Sequence, residues 1–285
     1  MASALVRHAV ALLQVLSPAS GFPAAILETG SQKLESALAA MALVLVRVSG
    51  AMVFAPFFSS DAIPMRVKAA FALAVSWLLA PVVAGFPRAH IELNTTAVLS
   101  ELSIGLLLGL VLSLLFEALI FAGQILGFQF SFSLVNLLDP NAPVQTPLLG
   151  ELFNLLGLLT VLGAGLDRTV LEAVFRTFAA APVGAVVFRA QSGLAVVPMA
   201  AGIFAAALQI SAPVMAATLM AELAVALAGK LSPQLPVMAL TVPLKTLLGF
   251  AVLIGTLALW PQWVEARFAA LLDAAGRLLA NAAGA

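Results

Sequence analysis

Long apolar runs, separated by short clusters of polar residues, proline and glycine, set the pattern of this chain. After a polar cluster at Glu28, Ser31, Gln32, Lys33 and Glu35, the first run extends from Ala37 to Phe58 and is interrupted only by Arg47. Ser31 or Ser36 is placed to cap a helix there. Pro56 and Pro64 bracket a polar turn, and the second run covers Ala69 to Phe86 and closes at Pro87-Arg88. A third begins near Thr96 and continues to Phe121; a fourth covers Leu148 to Leu166. Residues 169–193 are weaker, broken by Glu172, Arg176 and Arg189, and predict a short amphipathic helix and a loop turning at Pro182 and Gly184. Leu194 to Gly229 is expected to bend at Pro213, and KLSPQLP (Lys230 to Pro236) reverses the chain into Val237–Trp260. In the tail, Phe268, Leu271, Leu272 and Leu279 recur at helical spacing, with Asp273 and Arg277 on the other side. No strand-rich stretch interrupts this series, so the expected fold is all-α, built from apolar helices bent or broken at proline.

Residues 1–27 form an apolar extension with Arg7 and a run from Ala9 to Leu16. That run is short for a secretory signal and the small-residue site after it is poorly formed. It is therefore expected to be retained, with residues 28–285 forming a single helical domain. Pro56, Pro64, Pro213, Pro233, Pro236 and Pro243 lie in or beside the apolar runs, a pattern of broken helices in transporters and tight assemblies. Met215, Met220 and Met238 suit core filling or an adaptable surface.

Composition narrows the class. The chain has 285 residues, 63% of them hydrophobic and only 9% charged, with a mean hydropathy of +1.14. Soluble domains average about 45–50% apolar and about 25% charged residues, so an integral membrane protein, in contact with membrane lipid, or a subunit of a very apolar assembly is expected. Thirteen basic residues balance thirteen acidic ones, which gives no field to attract nucleic acid. There is no cysteine, and the two histidines, His8 and His90, are far apart. No HExxH, GxSxG or phosphate-binding loop is present, so neither a cofactor, a metal nor an enzymatic activity is expected. Trp260 and Trp263 in WPQW suit an interfacial anchor.

One stretch breaks the pattern. In AGQILGFQFSFSLVNLLDP (Ala122 to Pro140), Phe128, Phe130 and Phe132 alternate with Gln129, Ser131 and Ser133. On an extended backbone this period of two places three rings on one side and three polar groups on the other. Gly123 and Gly127 precede it and allow close packing or a positive φ, and Asp139-Pro140 closes it with a turn signal. A non-helical insert at membrane depth must be surrounded by protein or line a cavity, which makes this stretch a candidate hydrophobic constriction. The other reading of the same residues is a helix that simply continues, with its rings packed on neighbours.

Arg47, Glu101, Glu117, Glu222 and Lys245 are charges inside apolar runs. On the milder insertion scales a charge at a helix centre costs about 2.5–3.5 kcal/mol, so these side chains are expected to face protein or water. Glu101, Gly105 and Gly109 fall on one helical stripe, where small residues admit a neighbour and the carboxylate takes a partner. A proton or ion relay would want such carboxylates on neighbouring turns, and these are scattered. Inter-helix and inter-subunit pairing is the favoured reading; an ion-coupled secondary transporter using Glu101, Glu117, Arg47 and Lys245 is the alternative.

The order and spacing of several motifs resemble the FliR family of export-gate proteins, from Glu28 to the C-terminus. They are Arg47…Pro56-Phe57-Phe58…Pro64-x-Arg66-Val67-Lys68, then Glu101…Gly105…Gly109, then Ala122-Gly123…Gly127-Phe128-Gln129…Asp139-Pro140. Ser232-Pro233-Gln234-Leu235…Pro243-Leu244-Lys245…Gly249 is similar to the family's C-terminal signature. The chain departs from the usual pattern at Pro236, where the family has Asn or Ser, and at Thr241-Val242, where it has Gly-Phe. The resemblance implies bent helical hairpins assembled with FliP-like and FliQ-like subunits and joined by an FlhB-like switch protein, in the gate of the flagellar type III export apparatus. The homologous injectisome system is the related possibility. It implies a location in the bacterial inner membrane, at the flagellar basal body, with unfolded export substrates passing through. It also implies that the stretch matching residues 123–140 is a plug that closes the gate's interior, which favours the non-helical reading of those residues.

Overall fold

The computed structural model describes residues 24–55, 58, 63–87, 89–130, 148–184, 196–232, 234 and 237–284. Among them the regular structure is entirely helical. In chain order the helices are α1 (Ala24–Phe54), α2 (Met65–Ala84), α3 (Thr95–Gln129), α4 (Leu148–Gly163), α5 (Leu166–Ala180), α6 (Val196–Leu231), α7 (Val237–Thr256) and α8 (Trp260–Gly284). Five stretches among the described residues are long and apolar enough to cross a membrane: Lys33–Phe54, Met65–Ala84, Thr95–Gln129, Val197–Leu231 and Ala239–Ala280.

The chain divides into two compact units. The first comprises Met1–Gly109, Ala173–Ser192 and Gly276–Ala285. In it α1 and α2 pack as a pair, and the first part of α3 crosses α1 at glycines. A Cβ on Gly105 would overlap the Arg47 carbonyl, and one on Gly109 the Ala51 carbonyl. From the other side, a Cβ on Gly50 would stand 3.1 Å from the Leu102 carbonyl oxygen. The stripe of small residues read from the sequence is therefore a backbone-to-backbone crossing, which no larger side chain fits.

The second unit comprises Leu110–Glu172 and Gly193–Ala275. Its core gathers Leu119, Ala122, Leu126 and Phe130 with Leu149 and Phe153 of α4, Ala207, Ile210 and Val214 of α6, Leu253 of α7 and Trp260. Gly123 meets α4 closely, since a Cβ there would lie 2.6 Å from the Gly150 Cα. Apolar burial of this kind contributes about 25 cal/mol per Å² removed from water. In lipid that term vanishes, and tight packing carries the association instead.

Several boundaries differ from the sequence pattern. No helix starts at Ser31 or Ser36: α1 begins at Ala24 and runs through both, and the Ser36 hydroxyl donates to the Lys33 carbonyl at 3.0 Å. Gln, Lys and Glu are good helix formers, so a polar cluster changes the exposed surface without ending the helix. The fourth run ends at Gly163, and Gly165 turns with φ +68° before α5 starts at Leu166. Pro81, Pro213 and Pro243 all lie inside helices, so α6 is unbroken across Pro213. The WPQW tryptophans are not a simple interfacial anchor. Trp260 is buried, edge-on to Phe153 at 4.7 Å, and Trp263 packs against the same core. A short 3-10 turn, Leu257–Leu259, joins α7 to α8, and Pro261 occupies the first turn of α8, where its missing N–H costs no hydrogen bond.

Candidate functional site

The C-terminal end of α3 leads towards the aromatic–polar alternation. The helix continues through Gln129, so Gly123, Gly127 and Phe128 are helical rather than part of a loop beginning at residue 123. Helical geometry separates the rings that an extended chain would align. Phe128 is 73% exposed, whereas Phe130 is buried. Phe130 is a core residue: its ring lies 5.0 Å from that of Phe250, and it covers Gly249 so closely that any Cβ there would overlap it. Its N–H donates to the Leu126 carbonyl at 2.8 Å, which finishes the last turn. The Gln129 amide donates to the Thr218 hydroxyl of α6 at 2.8 Å. Two elements of the second unit thus fix where α3 stops. Gly127 has open space around it, unlike Gly123. Phe132, Asp139 and Pro140 lie outside the described residues.

In the first unit, Arg47 and Glu101 form a buried ion pair, Nε to Oε2 at 2.6 Å, each side chain about 1% exposed. Each of the other polar atoms has a partner. Arg47 Nη2 donates to the Ala181 carbonyl at 2.9 Å and Nη1 reaches the Thr177 hydroxyl at 3.4 Å. The guanidinium lies over the Phe178 ring, 4.1 Å from its centre, a cation–π contact. Glu101 Oε1 accepts from the Gly184 N–H at 3.0 Å. Gly184 adopts φ +69°, and a Cβ there would overlap the His90 carbonyl, so the turn that supplies this donor requires glycine. A pair so completely enclosed holds α1, α3 and α5 together and offers nothing to a passing ion.

In the second unit, Lys245 of α7 bonds Glu222 of α6, with the lysine buried and the glutamate 39% exposed. Pro243 lies two residues before that lysine, inside α7. Glu117 stands apart. It is exposed on the outer face of α3, and no described side chain pairs with it. Of the five charges singled out in the sequence, four thus close into two bridges. The pattern of residue types predicted pairing but not the partners. Thr177, Phe178, Thr218 and Phe250 carry no signal until the helices are placed, and only the Pro182–Gly184 turn was visible beforehand.

The chain matches the sequence profile of bacterial export proteins, family 1, over residues 38–271. The chain belongs to this family, the FliR family. It is similar to the flagellar biosynthetic protein FliR of Caulobacter vibrioides, 29% identical over 81% of this chain and 94% of that one. The Bacillus subtilis FliR is 27% identical over 85% of this chain and 95% of its own, and the Escherichia coli FliR 25% identical over 80% and 88%. The family match contains the residues of both ion pairs and of the anchored end of α3, from Arg47 to Phe250. FliR membership and the apolar helices together describe a membrane protein of flagellum biogenesis and protein transport.

Proposed function

We propose that the chain is a structural and gating subunit of the flagellar type III export gate in the inner membrane, assembled with FliP-like and FliQ-like subunits and an FlhB-like switch protein. In this reading it lines part of the path taken by unfolded export substrates, and the residues that follow α3 close that path until a substrate displaces them. The observation that carries the proposal is the anchored end of α3. Gln129 on Thr218 and Phe130 on Gly249 and Phe250 hold the start of the aromatic stretch to a packed core, while Phe128 projects from it. A plug needs a fixed root and a free apolar face, because rings exclude water only if they are held in place. No energy-supplying site is needed in such a subunit, since gating by displacement takes its work from the passing chain.

The aromatic residues then divide by role. Phe128 and Phe132 belong to the seal, with Gly123, Gly127 and Gln129 in its helical root and Asp139-Pro140 at its far end. Phe130 belongs to the anchor. Replacing Phe128 and Phe132 together with alanine is expected to raise leakage of small solutes through the assembled gate, measured as solute influx in cells carrying the variant. Unchanged leak together with unchanged secretion in a fully assembled complex would overturn the plug assignment. The transporter reading is disfavoured by geometry: its four-residue site would need Arg47 and Lys245 free, and both are committed to carboxylates.

A further inference from the structure

Glu117 lies well inside α3, a helix long and apolar enough to cross a membrane. The opposite face of the helix at this level is core, with Leu115 and Leu119 buried. Glu117 points the other way and is exposed. Leu110 and Gln124 fall seven residues before and after it, and Ser113 one turn before, so all four share a narrow arc of the helix. The Ser113 hydroxyl donates to the Leu110 carbonyl at 2.8 Å and keeps its lone pairs. Neither Glu117 nor the Gln124 amide has a polar partner among the described residues. An uncompensated carboxylate here stands among apolar neighbours, whereas Arg47, Glu101, Glu222 and Lys245 are paired.

We propose that this arc of α3 is a docking face for a helix of a different polypeptide, one that presents a lysine or arginine to Glu117 at the same depth in an otherwise apolar surface. The proposal rests on the chain being one subunit of a larger assembly and adds the chemistry of one partner. Charge complementarity selects the occupant. Lipid tails offer neither a cation nor a hydrogen-bond donor. In a second copy of this chain, Arg47 and Lys245 are already bonded to Glu101 and Glu222 and Arg267 to the Gly202 carbonyl, and the other described cations lie outside the five apolar stretches or within a turn of their ends, away from the mid-helix depth of Glu117. A carboxylate with an amide and a hydroxyl on one arc accepts a cationic head and bonds its remaining N–H groups, as membrane helices use polar residues to fix register.

The test uses the whole complex purified from native membranes. A photo-reactive amino acid is placed at Ser113 or at Gln124, so that Glu117 itself is kept, and the adduct is identified by mass. A cross-link to another membrane polypeptide, at a peptide carrying Lys or Arg within an apolar run, is the expected result. A cross-link only to lipid or to a second copy of this chain overturns the proposal. In parallel, Glu117→Lys is expected to lower the co-purified partner at least tenfold, with Glu117→Gln intermediate. Because the chain contains no cysteine, Glu117→Cys gives a single thiol. Rapid labelling of that thiol in the assembled complex by a membrane-impermeant reagent would mean that the face lines water, and would overturn the proposal too. If the unaltered chain co-purifies with no other subunit, the gate assignment itself fails; if it co-purifies normally and Glu117→Lys does as well, only the docking face fails.

Discussion

Removing the guanidinium of Arg47 would leave Glu101 as a buried carboxylate with only the Gly184 N–H for company. Deleting one member of a buried pair costs about 3–5 kcal/mol, whereas replacing both members with apolar residues is often close to neutral. Arg47→Leu is therefore expected to lower the thermal midpoint of the detergent-purified complex strongly, and Arg47→Leu with Glu101→Leu to recover most of the loss. A relay residue would behave differently: the double variant would be stable yet inactive in secretion. Secretion at near normal levels by the double variant is the outcome that fits a purely structural pair. The contrast with Glu117 is instructive at this scale. Two glutamates on one helix, both in apolar sequence, have opposite surroundings, because one faces α1 and the other faces outward.

At the scale of elements, the crossing of α1 and α3 depends on glycine backbone meeting carbonyl oxygen. Gly105→Ala inserts a methyl group where the Arg47 carbonyl already lies, and overpacking of this kind costs about 1–3 kcal/mol. The expected result is a lowered thermal midpoint for Gly105→Ala and little change for Gly127→Ala, which has open space around it. Equal midpoints would argue that the helices separate easily and that the crossing is not tight. The crossing was legible in the sequence, because Glu101, Gly105 and Gly109 fall on one stripe and the period of 3.6 is unambiguous. The start of α1 was not legible, because a helix tolerates Gln, Lys and Glu on its exposed side as readily as a loop does. The end of α3 was misplaced for a related reason. Period-two alternation over six residues is compatible with a helix whose neighbours differ in burial, and only Gly249 and Thr218, more than 80 residues away, decide which ring goes inside. Likewise, WPQW reads as an anchor by residue type, while the ring of Phe153 makes Trp260 a core residue.

At the scale of the whole molecule, much of the apolar surface remains uncovered. Trp77, Leu78, Met220, Leu247 and Ile254 are among the large side chains more than 60% exposed. Lipid covers some of such a surface, and in the proposed assembly neighbouring subunits would cover the rest. Produced alone and reconstituted into liposomes, the chain is expected to show no ion-coupled solute uptake; robust uptake by the chain alone would revive the carrier reading.

The length of α3 has a consequence for how the protein meets the bilayer. Its 35 residues extend about 52 Å at 1.5 Å per residue, and the 36 residues of α6 reach a similar span. The hydrocarbon slab is only about 30 Å deep. Helices this long do not have to match its thickness, because a third or more of each can protrude or lean. Depth and inclination are then chosen by whatever grips the flanks of these rods, so thinner or thicker lipids should barely alter the protein's behaviour.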